Sequence, residues 1–298
     1  MPITRANGID IAYETAGDPK NPTILLVMGF GGQLTLWNEL FVEALAGHGL
    51  HVVTYDNRDT GLSSDFSAWG AGDMAVAAAN AAAGKPVAAP YTLGDMARDG
   101  LGLLDVLGIG RAHVLGVSMG GMIAQLMAGE HPRRVAALTI VMSTSSRPGL
   151  PPGKPEALQG LLHRPQMSDR DAIIAYSMKL RGLTGSPAYP MEEARLRAFV
   201  AKNVDRRYYP EGMGRQYLAI LASGDRVALL KTIAAPTLVI HGEEDPLLPP
   251  AHGRDVADLI PGARFDLVPG MGHDLPDQLA ADLATRVAAH CRAAVVPA

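Results

Sequence analysis

The sequence contains one cysteine, Cys291, among its 298 residues. A single thiol excludes an intrachain disulfide and a cysteine-ligated metal cluster, and sparse cysteine favours a reducing compartment. Long hydrophobic runs are also missing, because no apolar stretch approaches the ~18 residues that a membrane-spanning helix requires. We therefore expect neither a disulfide framework nor a transmembrane segment.

An excess of positive charge is lacking as well. The chain has 26 Lys plus Arg against 30 Asp plus Glu, a formal net charge of −4. This balance gives no electrostatic basis for binding nucleic acid or an anionic membrane surface. The first residues, MPITRANGIDIAYETAGD, have no basic stretch followed by an apolar core. We therefore expect no nucleic-acid or membrane partner, no signal peptide and a cytoplasmic location.

Apolar runs alternate with segments of helical spacing through most of the chain. Strands are predicted at 8–15, 23–29, 51–56, 111–117, 134–143, 236–242 and 263–270. Helices are predicted at 36–49, 94–108, 119–130, 251–260 and 275–291. This alternation predicts an α/β protein with a mostly parallel sheet and helices on both faces.

Two segments interrupt the alternation. The Pro/Gly linker RPGLPPGKP introduces a region of short helices and turns, which predicts a core of residues 1–143 and 233–298 and an inserted helical cap of residues 144–232. Residues 65–90 are rich in alanine, glycine and proline and are long for a loop. The pattern leaves open whether they form a lid, a disordered loop or a short helix.

The stretch HVLGVSMGG, residues 113–121, places Ser118 between an apolar strand and a helix. Residues 116–120 match G-x-S-x-G, in which a serine occupies a sharp strand-to-helix turn. Glycines flank it because side chains there would collide, and the helix N-terminus favours negative charge at the turn. The alternative is a glycine-rich turn that packs a helix closely on a strand.

A serine hydroxyl requires a neighbouring base to act as a nucleophile, and the base requires an orienting carboxylate. Of the nine histidines, His273 lies in the glycine-rich loop PGMGHDLP after the last predicted strand. This position returns it to the carboxyl edge of the sheet, where sites form in such folds. His113 and His241 fall inside strand patterns and are predicted to be core or sheet-edge residues. His273 is therefore the candidate base.

The candidate acid lies in GEEDPLLPP, directly after the strand predicted at 236–242. Asp245 is the preferred residue, and Glu243 and Glu244 are close rivals by spacing alone. The stretch after the preceding strand, residues 143–146, holds no acid.

Acyl transfer also needs two amide donors for the oxyanion of the tetrahedral intermediate. The amide of Met119, the residue after Ser118, is the first candidate. The second comes from the loop Met28–Gly32, where glycines let the backbone approach a substrate. The amide of Phe30 is preferred over that of Gly29, and a plain glycine turn is the alternative.

With these motifs, the chain resembles the α/β-hydrolase fold superfamily, and within it the serine carboxylesterases of the branch that contains aclacinomycin methylesterase. The matching stretches are LLVMGFGG, YDNRDTGLSS, HVLGVSMGGMIAQ, PTLVIHGEEDPLLPP and PGMGHDLP. The resemblance implies an eight-stranded sheet, the chain order Ser118, Asp245, His273, and ester hydrolysis through an acyl-serine without cofactor or metal. Met28 departs from the His-Gly that many relatives carry here. Ser118 at the strand-to-helix turn argues against the dehalogenases and epoxide hydrolases of this fold, which have aspartate at that position.

The remaining expectations concern charge and the cap. Arg58 and Asp59 are expected to pair and fix the loop below the site. The cap has 14 Lys plus Arg against 8 Asp plus Glu, which favours a solvated basic face over a pocket that selects an anionic or polar ester. Its larger side chains would form either cap core or pocket lining. They are Met167, Met178, Met191, Phe199, Tyr208, Tyr209, Met213 and Tyr217.

These patterns predict a carboxylic-ester hydrolase that acts on a small-molecule ester. Thioester or lactone hydrolysis, carbon–carbon bond hydrolysis and peracid formation use the same constellation and remain alternatives. A non-catalytic binding protein on a hydrolase scaffold is an alternative from another class. The sequence leaves the oligomeric state open, a homodimer included.

Overall fold

A computed structural model of the protein describes residues 1–162 and 167–294. Within them, eight strands form one sheet in the order β1-β2-β4-β3-β5-β6-β7-β8. The strands are Ile3–Ala6 (β1), Ile9–Ala16 (β2), Thr23–Val27 (β3), His51–Tyr55 (β4), Ala112–Val117 (β5), Val135–Val141 (β6), Thr237–Gly242 (β7) and Arg264–Val268 (β8). β1 and β2 run antiparallel to their neighbours, and the other strands are parallel.

Helices cover both faces of the sheet. They are Glu39–Gly47 (α1), Met74–Ala82 (α2), Leu93–Val106 (α3), Met119–Glu130 (α4), Pro155–Leu162 (α5), Arg170–Thr184 (α6), Glu193–Arg206 (α7), Pro210–Ala222 (α8), Val227–Leu230 (α9), Ala251–Leu259 (α10) and Ala280–Ala293 (α11). None of these described helices combines the length and the apolar character needed to cross a lipid bilayer.

The central strands explain the continuous apolar runs in the sequence. Every residue of β3, β4 and β5 is buried, because each strand is covered by helices above and below, as parallel strands usually are. One apolar cluster contains α3, α4 and α10, and a second on the opposite face contains α1 and α11. The predicted mostly parallel sheet with helices on both faces is confirmed.

The first strand is missing from the prediction. β1 pairs with β2 through a two-residue turn at Asn7 and Gly8, whose φ angles are 47° and 78°. An Asn-Gly pair between two strands is a strong hairpin signal, because both turn positions need positive φ. The signal was present, but β1 has only four residues and no clear alternation.

Of the options left open for residues 65–90, the structure contains the short helix. Asp73 caps α2 by accepting hydrogen bonds from the amides of Ala75 and Val76, and α2 packs on α8. The backbone carbonyl of Gly70 also accepts a hydrogen bond from Arg215 Nη1 at 2.8 Å. This stretch is therefore tied to the helices that follow β6.

The chain between β6 and β7, which we call the helical segment, contains α5 to α9. Its three longest helices have 13 to 15 residues, so the expectation of short helices holds only for α5 and α9. Its division from the core as a separate cap stays a prediction. Residues 163–166 of the predicted cap and 295–298 of the predicted core lie outside the described residues.

The expectation of a solvated basic face on this segment is wrong for Arg206 and Arg215, whose side chains are 10% and 0% exposed. Several cations of the segment form ion pairs with carboxylates of the sheet-forming part of the chain. These pairs are Arg147–Asp255, Arg195–Asp277, Lys202–Glu39, Arg206–Asp56, Arg207–Asp65 and Arg215–Asp59. Of these pairs, Arg206–Asp56 and Arg215–Asp59 are buried and attach the segment to the sheet.

Arg58 and Asp59 do not pair with each other. Arg58 makes a bidentate pair with Asp99, at 2.6 and 2.7 Å. Asp59 instead accepts hydrogen bonds from Arg215, at 2.7 and 2.9 Å, and from Tyr91 Oη at 2.6 Å. The two neighbours thus point to different helices, because Arg58 pairs with a residue of α3 and Asp59 pairs with a residue of α8.

We expect Gly120→Ala to destabilise the fold by at least about 3 kcal/mol, because overpacking against backbone is at the costly end of such changes. An added Cβ would lie 2.0 Å from the Val27 carbonyl oxygen. Gly47→Ala is the matched control, since nothing lies within 4 Å of its Cβ, and replacing an unstrained helical glycine stabilises by about 0.5–1 kcal/mol. Urea denaturation of both variants measures the difference, and equal midpoints would contradict the packing argument.

We expect Arg215→Met to lower the unfolding free energy by about 3–5 kcal/mol, the usual effect of leaving one partner of a buried pair alone. The side chains of Arg215 and Asp59 are both fully buried. Arg170→Ala breaks an ion pair with Asp205 in which both partners are about half exposed and should leave the midpoint nearly unchanged. Similar losses in the two variants, measured by urea denaturation, would refute the special role of the buried pair.

Candidate active site

Ser118 occupies the turn between β5 and α4 in a strained backbone conformation. Its φ and ψ are 53° and −120°, a region that residues with a side chain rarely adopt. Its amide donates to the Val141 carbonyl oxygen at 3.0 Å, and its own carbonyl accepts from Ser143 Oγ at 2.6 Å. These two contacts to the neighbouring strand hold the turn in place.

The two flanking glycines are required by close approach. A Cβ on Gly116 would lie 2.1 Å from the Gly120 carbonyl oxygen, and one on Gly120 would lie 2.0 Å from the Val27 carbonyl oxygen. Both contacts are with backbone, which cannot move aside as a flexible side chain can. The helix α4 begins at Met119, directly after Ser118, so the positive end of its dipole lies at the hydroxyl-bearing residue.

His273 and Asp245 are brought together from two loops at the carboxyl edge of the sheet. Asp245 Oδ2 lies 2.7 Å from His273 Nδ1. The other oxygen, Oδ1, accepts from the amides of Leu247 and Leu248, each at 2.9 Å. An ionised carboxylate only accepts hydrogen bonds, so it keeps the proton on Nδ1 and leaves Nε2 of the neutral ring as an acceptor.

The two rival acids lie elsewhere. Glu243 and Glu244 are exposed, whereas Asp245 is buried. The structure therefore brings Asp245, and neither glutamate, to the imidazole of His273.

A second imidazole contacts Asp245, which the sequence reasoning missed. His241, predicted as core, is fully buried in β7, and its Nε2 lies 3.3 Å from Asp245 Oδ2 and 2.7 Å from the Leu248 carbonyl oxygen. Because both partners are acceptors, Nε2 carries the proton. The four-residue spacing from His241 to Asp245 was visible, but the contact depends on how the turn after β7 folds back.

The electrostatics keep Asp245 charged. Burial raises the pKa of Asp245, but the charge and hydrogen bonds of His273 and His241 outweigh burial and hold the pKa well below its usual range. Asp245 is therefore a carboxylate at neutral pH and stabilises positive charge on the neighbouring ring.

Ser118 and His273 line one cavity of about 470 Å³. Among the described residues, no hydrogen bond joins Ser118 Oγ to the ring of His273. Such catalytic hydrogen bonds are often long before substrate binds. The shared cavity places a hydroxyl and a basic nitrogen where one bound molecule contacts both.

The loop Met28–Gly32 lies directly against Ser118. A Cβ on Gly29 would be 3.1 Å from Ser118 Cβ, and Gly29 and Phe30 both line the cavity. In the part of the chain that the structure describes, the amides of Gly29, Phe30 and Met119 have no hydrogen-bond acceptor. The choice between Gly29 and Phe30 stays open, and Met119 is buried rather than part of the described cavity lining.

Gln216 anchors this loop from the helical segment. Its Oε1 accepts from the Gly31 amide at 2.8 Å, while its Nε2 donates to Thr60 Oγ1 at 2.7 Å. Asn57 Nδ2 donates to the Met28 carbonyl oxygen at 2.9 Å. These contacts hold the loop, and nothing in the local sequence pattern around Gln216 predicts them.

The helical segment supplies much of the remaining lining. Of the eight large residues named above, those that line the cavity are Met191, Phe199, Tyr208, Tyr209 and Met213. Arg181 and Asp274 also line it and were not singled out in the sequence. The cavity thus combines apolar walls with a few polar groups, as small-molecule sites do.

This arrangement has the parts that nucleophilic acyl transfer requires. A hydroxyl lies at a helix N-terminus, an imidazole is held by a carboxylate in one tautomer, and unpaired backbone amides adjoin the hydroxyl.

Comparison with known proteins agrees with this chemistry. A family model described as alpha/beta hydrolase fold matches residues 22–278. The rhodomycin D methylesterase DauP of Streptomyces sp. (strain C5) is 31% identical, and DnrP of Streptomyces peucetius is 30% identical, each over 95% of both chains. The enol-lactonase from Burkholderia xenovorans LB400 superposes with a TM-score of 0.73 over 98% of this chain and 100% of that one, at 24% identity, a likeness of fold alone.

The depressed pKa of Asp245 predicts how its stabilising effect depends on pH. A carboxylate whose pKa is lower in the folded state stabilises the fold fully above its unfolded pKa, near about 4, and loses this effect as the pH falls towards the folded value. Wild type should therefore exceed Asp245→Asn in unfolding free energy at pH 7, and the gap should narrow below about pH 4. Urea titrations across this range measure it, and a gap independent of pH would contradict the assignment.

Proposed function

Since this chain belongs to the α/β-hydrolase fold family, we propose that it hydrolyses carboxylic esters, methyl esters included, through an acyl-enzyme on Ser118. The observation that carries the proposal is the 2.7 Å contact between His273 and Asp245 at the cavity that Ser118 also lines. The two methylesterases that match 95% of the chain support esters as the substrate class. No cofactor is part of the proposal.

In the first half-reaction, Ser118 Oγ attacks the ester carbonyl carbon and His273 Nε2 takes the hydroxyl proton. The ring becomes an imidazolium, which Asp245 stabilises from the Nδ1 side. The carbonyl oxygen becomes an oxyanion held by the amide of Met119 and by that of Phe30, with Gly29 as the alternative donor. The carbon–oxygen bond to the alcohol then breaks, and His273 returns the proton to the leaving alkoxide.

In the second half-reaction, water replaces the alcohol. His273 removes a proton from water as its oxygen bonds to the acyl carbon, and a second oxyanion forms in the same place. This intermediate collapses with cleavage of the bond to Ser118 Oγ, which regains its proton from His273. The products are one carboxylic acid and one alcohol for each water consumed.

The helical segment would act as a cap in this scheme. Phe199, Tyr209 and Met213 line the same cavity as the reacting groups. Side chains of this kind bind apolar acyl or alcohol groups and adapt to their shape. The rate of the chemistry would then depend on the sheet edge, and the choice of ester on the segment.

We expect Ser118→Ala to lose at least about 10³-fold in kcat/KM towards p-nitrophenyl esters, because removing a member of such a triad has an effect of this size or more. Purified wild type and variant are assayed with short- and medium-chain esters. Ser67→Ala, a change at an exposed serine outside the cavity lining, is the matched control and should retain wild-type rates.

Circular dichroism accompanies the assay so that loss of fold is distinguished from loss of the hydroxyl. Equal activity of wild type and a folded Ser118→Ala would exclude Ser118 as the nucleophile. Absence of ester hydrolysis by wild type would refute the proposed activity itself.

A further inference from the structure

The cations that line the cavity differ in whether a carboxylate of the protein pairs with them. In the described part of the helical segment, four basic side chains line the cavity, and three of them form ion pairs with nearby carboxylates. These are Arg195 with Asp277 at 2.6 Å, Lys202 with Glu39 at 2.5 Å and Arg207 with Asp65 at 2.8 Å. The fourth, Arg181, has no hydrogen bond or ion pair from its guanidinium to any residue that the structure describes.

Arg181 is held in a defined position relative to the reacting groups. It lies in the last turn of α6, and the carbonyl of Thr184 at the end of that helix accepts from the His273 amide at 2.8 Å. Its guanidinium carbon lies 5.1 Å from the ring centroid of Phe199. The ring covers one face of the guanidinium, so the N–H groups at its edge remain the part available for hydrogen bonding.

The carboxyl group of Asp274 acts on the charge of Arg181 without pairing with it. Asp274 lines the cavity too, but Ser186 Oγ donates to its Oδ1, and no ion pair joins it to Arg181. Burial raises the pKa of Asp274, although Ser186 and Arg181 oppose the rise. Burial likewise lowers the pKa of Arg181, and the more distant Asp274 compensates only in part.

A guanidinium that lacks partners in a partly buried site is costly. It carries five N–H donors and no acceptor. When such a cation leaves water without a hydrogen-bonded anion, the lost hydration energy is not offset. A ligand that offers two oxygens in one plane matches the fork of N–H groups, as carboxylates do. The cavity therefore contains a position that is complementary to a carboxylate.

We propose that Arg181 binds a free carboxylate on the ester substrate, so that the protein prefers half-esters of dicarboxylic acids to neutral esters. The ester part of this statement rests on the proposed function, whereas recognition of the carboxylate rests on Arg181 alone. Among the basic side chains of the helical segment, Arg181 thus serves substrate selection, while its paired neighbours are neutralised by acids of the protein.

The test separates binding from turnover. Ser118→Ala is titrated by calorimetry with monoethyl succinate, glutarate and adipate, and with ethyl butanoate, pentanoate and hexanoate as neutral esters of matching chain length. We expect at least one half-ester to bind about tenfold or more tightly than its neutral partner, and Arg181→Gln in the same background to abolish this preference, because a hydrogen-bonded charge contributes this much. Arg181→Lys should retain part of it.

Arg197→Gln is the matched control. It removes the same charge from the adjacent helix α7, where Arg197 pairs with Asp171 and is absent from the described lining of the cavity. It should leave the preference unchanged. Thermal midpoints of all variants identify any change that only unfolds the helical segment.

Three outcomes would overturn the inference. They are equal affinity for half-esters and neutral esters, a preference for half-esters that survives Arg181→Gln, and a loss of affinity on Arg181→Gln that is the same for both ester types. Selective binding without hydrolysis by wild type would refute the proposed function and leave carboxylate recognition standing. Hydrolysis of neutral esters without any preference for half-esters would refute carboxylate recognition and leave the proposed function standing.

Discussion

The site depends on the backbone contact that α4 makes with β3 and β5 at two glycines. Since Gly120 has no Cβ, the helix can approach the Val27 carbonyl, and the chain must then turn through Ser118 with positive φ. The parallel register sets Val27 beside Gly116, so β3 and β5 end at the same level. The loop after β3 consequently lies against Ser118 Cβ. A single steric requirement therefore fixes the serine, the helix N-terminus and the neighbouring amides together, and strain at one residue is offset by packing around it.

Buried ion pairs fix the position of the helical segment on the sheet. Asp56 and Asp59 follow β4, are fully buried, and are neutralised by Arg206 and Arg215. Burying such pairs adds little net stability, because desolvation consumes most of the attraction, but a buried carboxylate without its partner is strongly unfavourable. The segment is thus confined to arrangements in which these arginines reach these acids. Two of its cations serve this attachment.

The sequence predicts those features of the fold and the site that depend on residues adjacent in the chain. Strands β2 to β8, the G-x-S-x-G turn and the loops that carry Asp245 and His273 are set by local apolar patterns and by glycines, and these elements were predicted, whereas β1 was not. The partners of Arg58 and Asp59 were not, because each pairs with a residue far away in sequence, Asp99 and Arg215 respectively. The contact of His241 with Asp245 was missed for a different reason: the two residues are only four apart, but their contact depends on how the turn after β7 folds, which residue spacing does not specify.

A backbone hydrogen bond joins the helical segment directly to His273. The carbonyl of Thr184 at the end of α6 holds the amide of His273, while Arg181 lies three residues earlier on the same helix. A ligand that draws the guanidinium of Arg181 towards it therefore acts on the element that also supports the proposed base. The final turn of α6 would then link recognition of the carboxylate to the position of His273. A substrate that satisfies Arg181 would stabilise that turn, and a neutral ester that leaves Arg181 unpaired would lack this support. On this argument, selectivity would extend to the chemical step and would not be confined to binding.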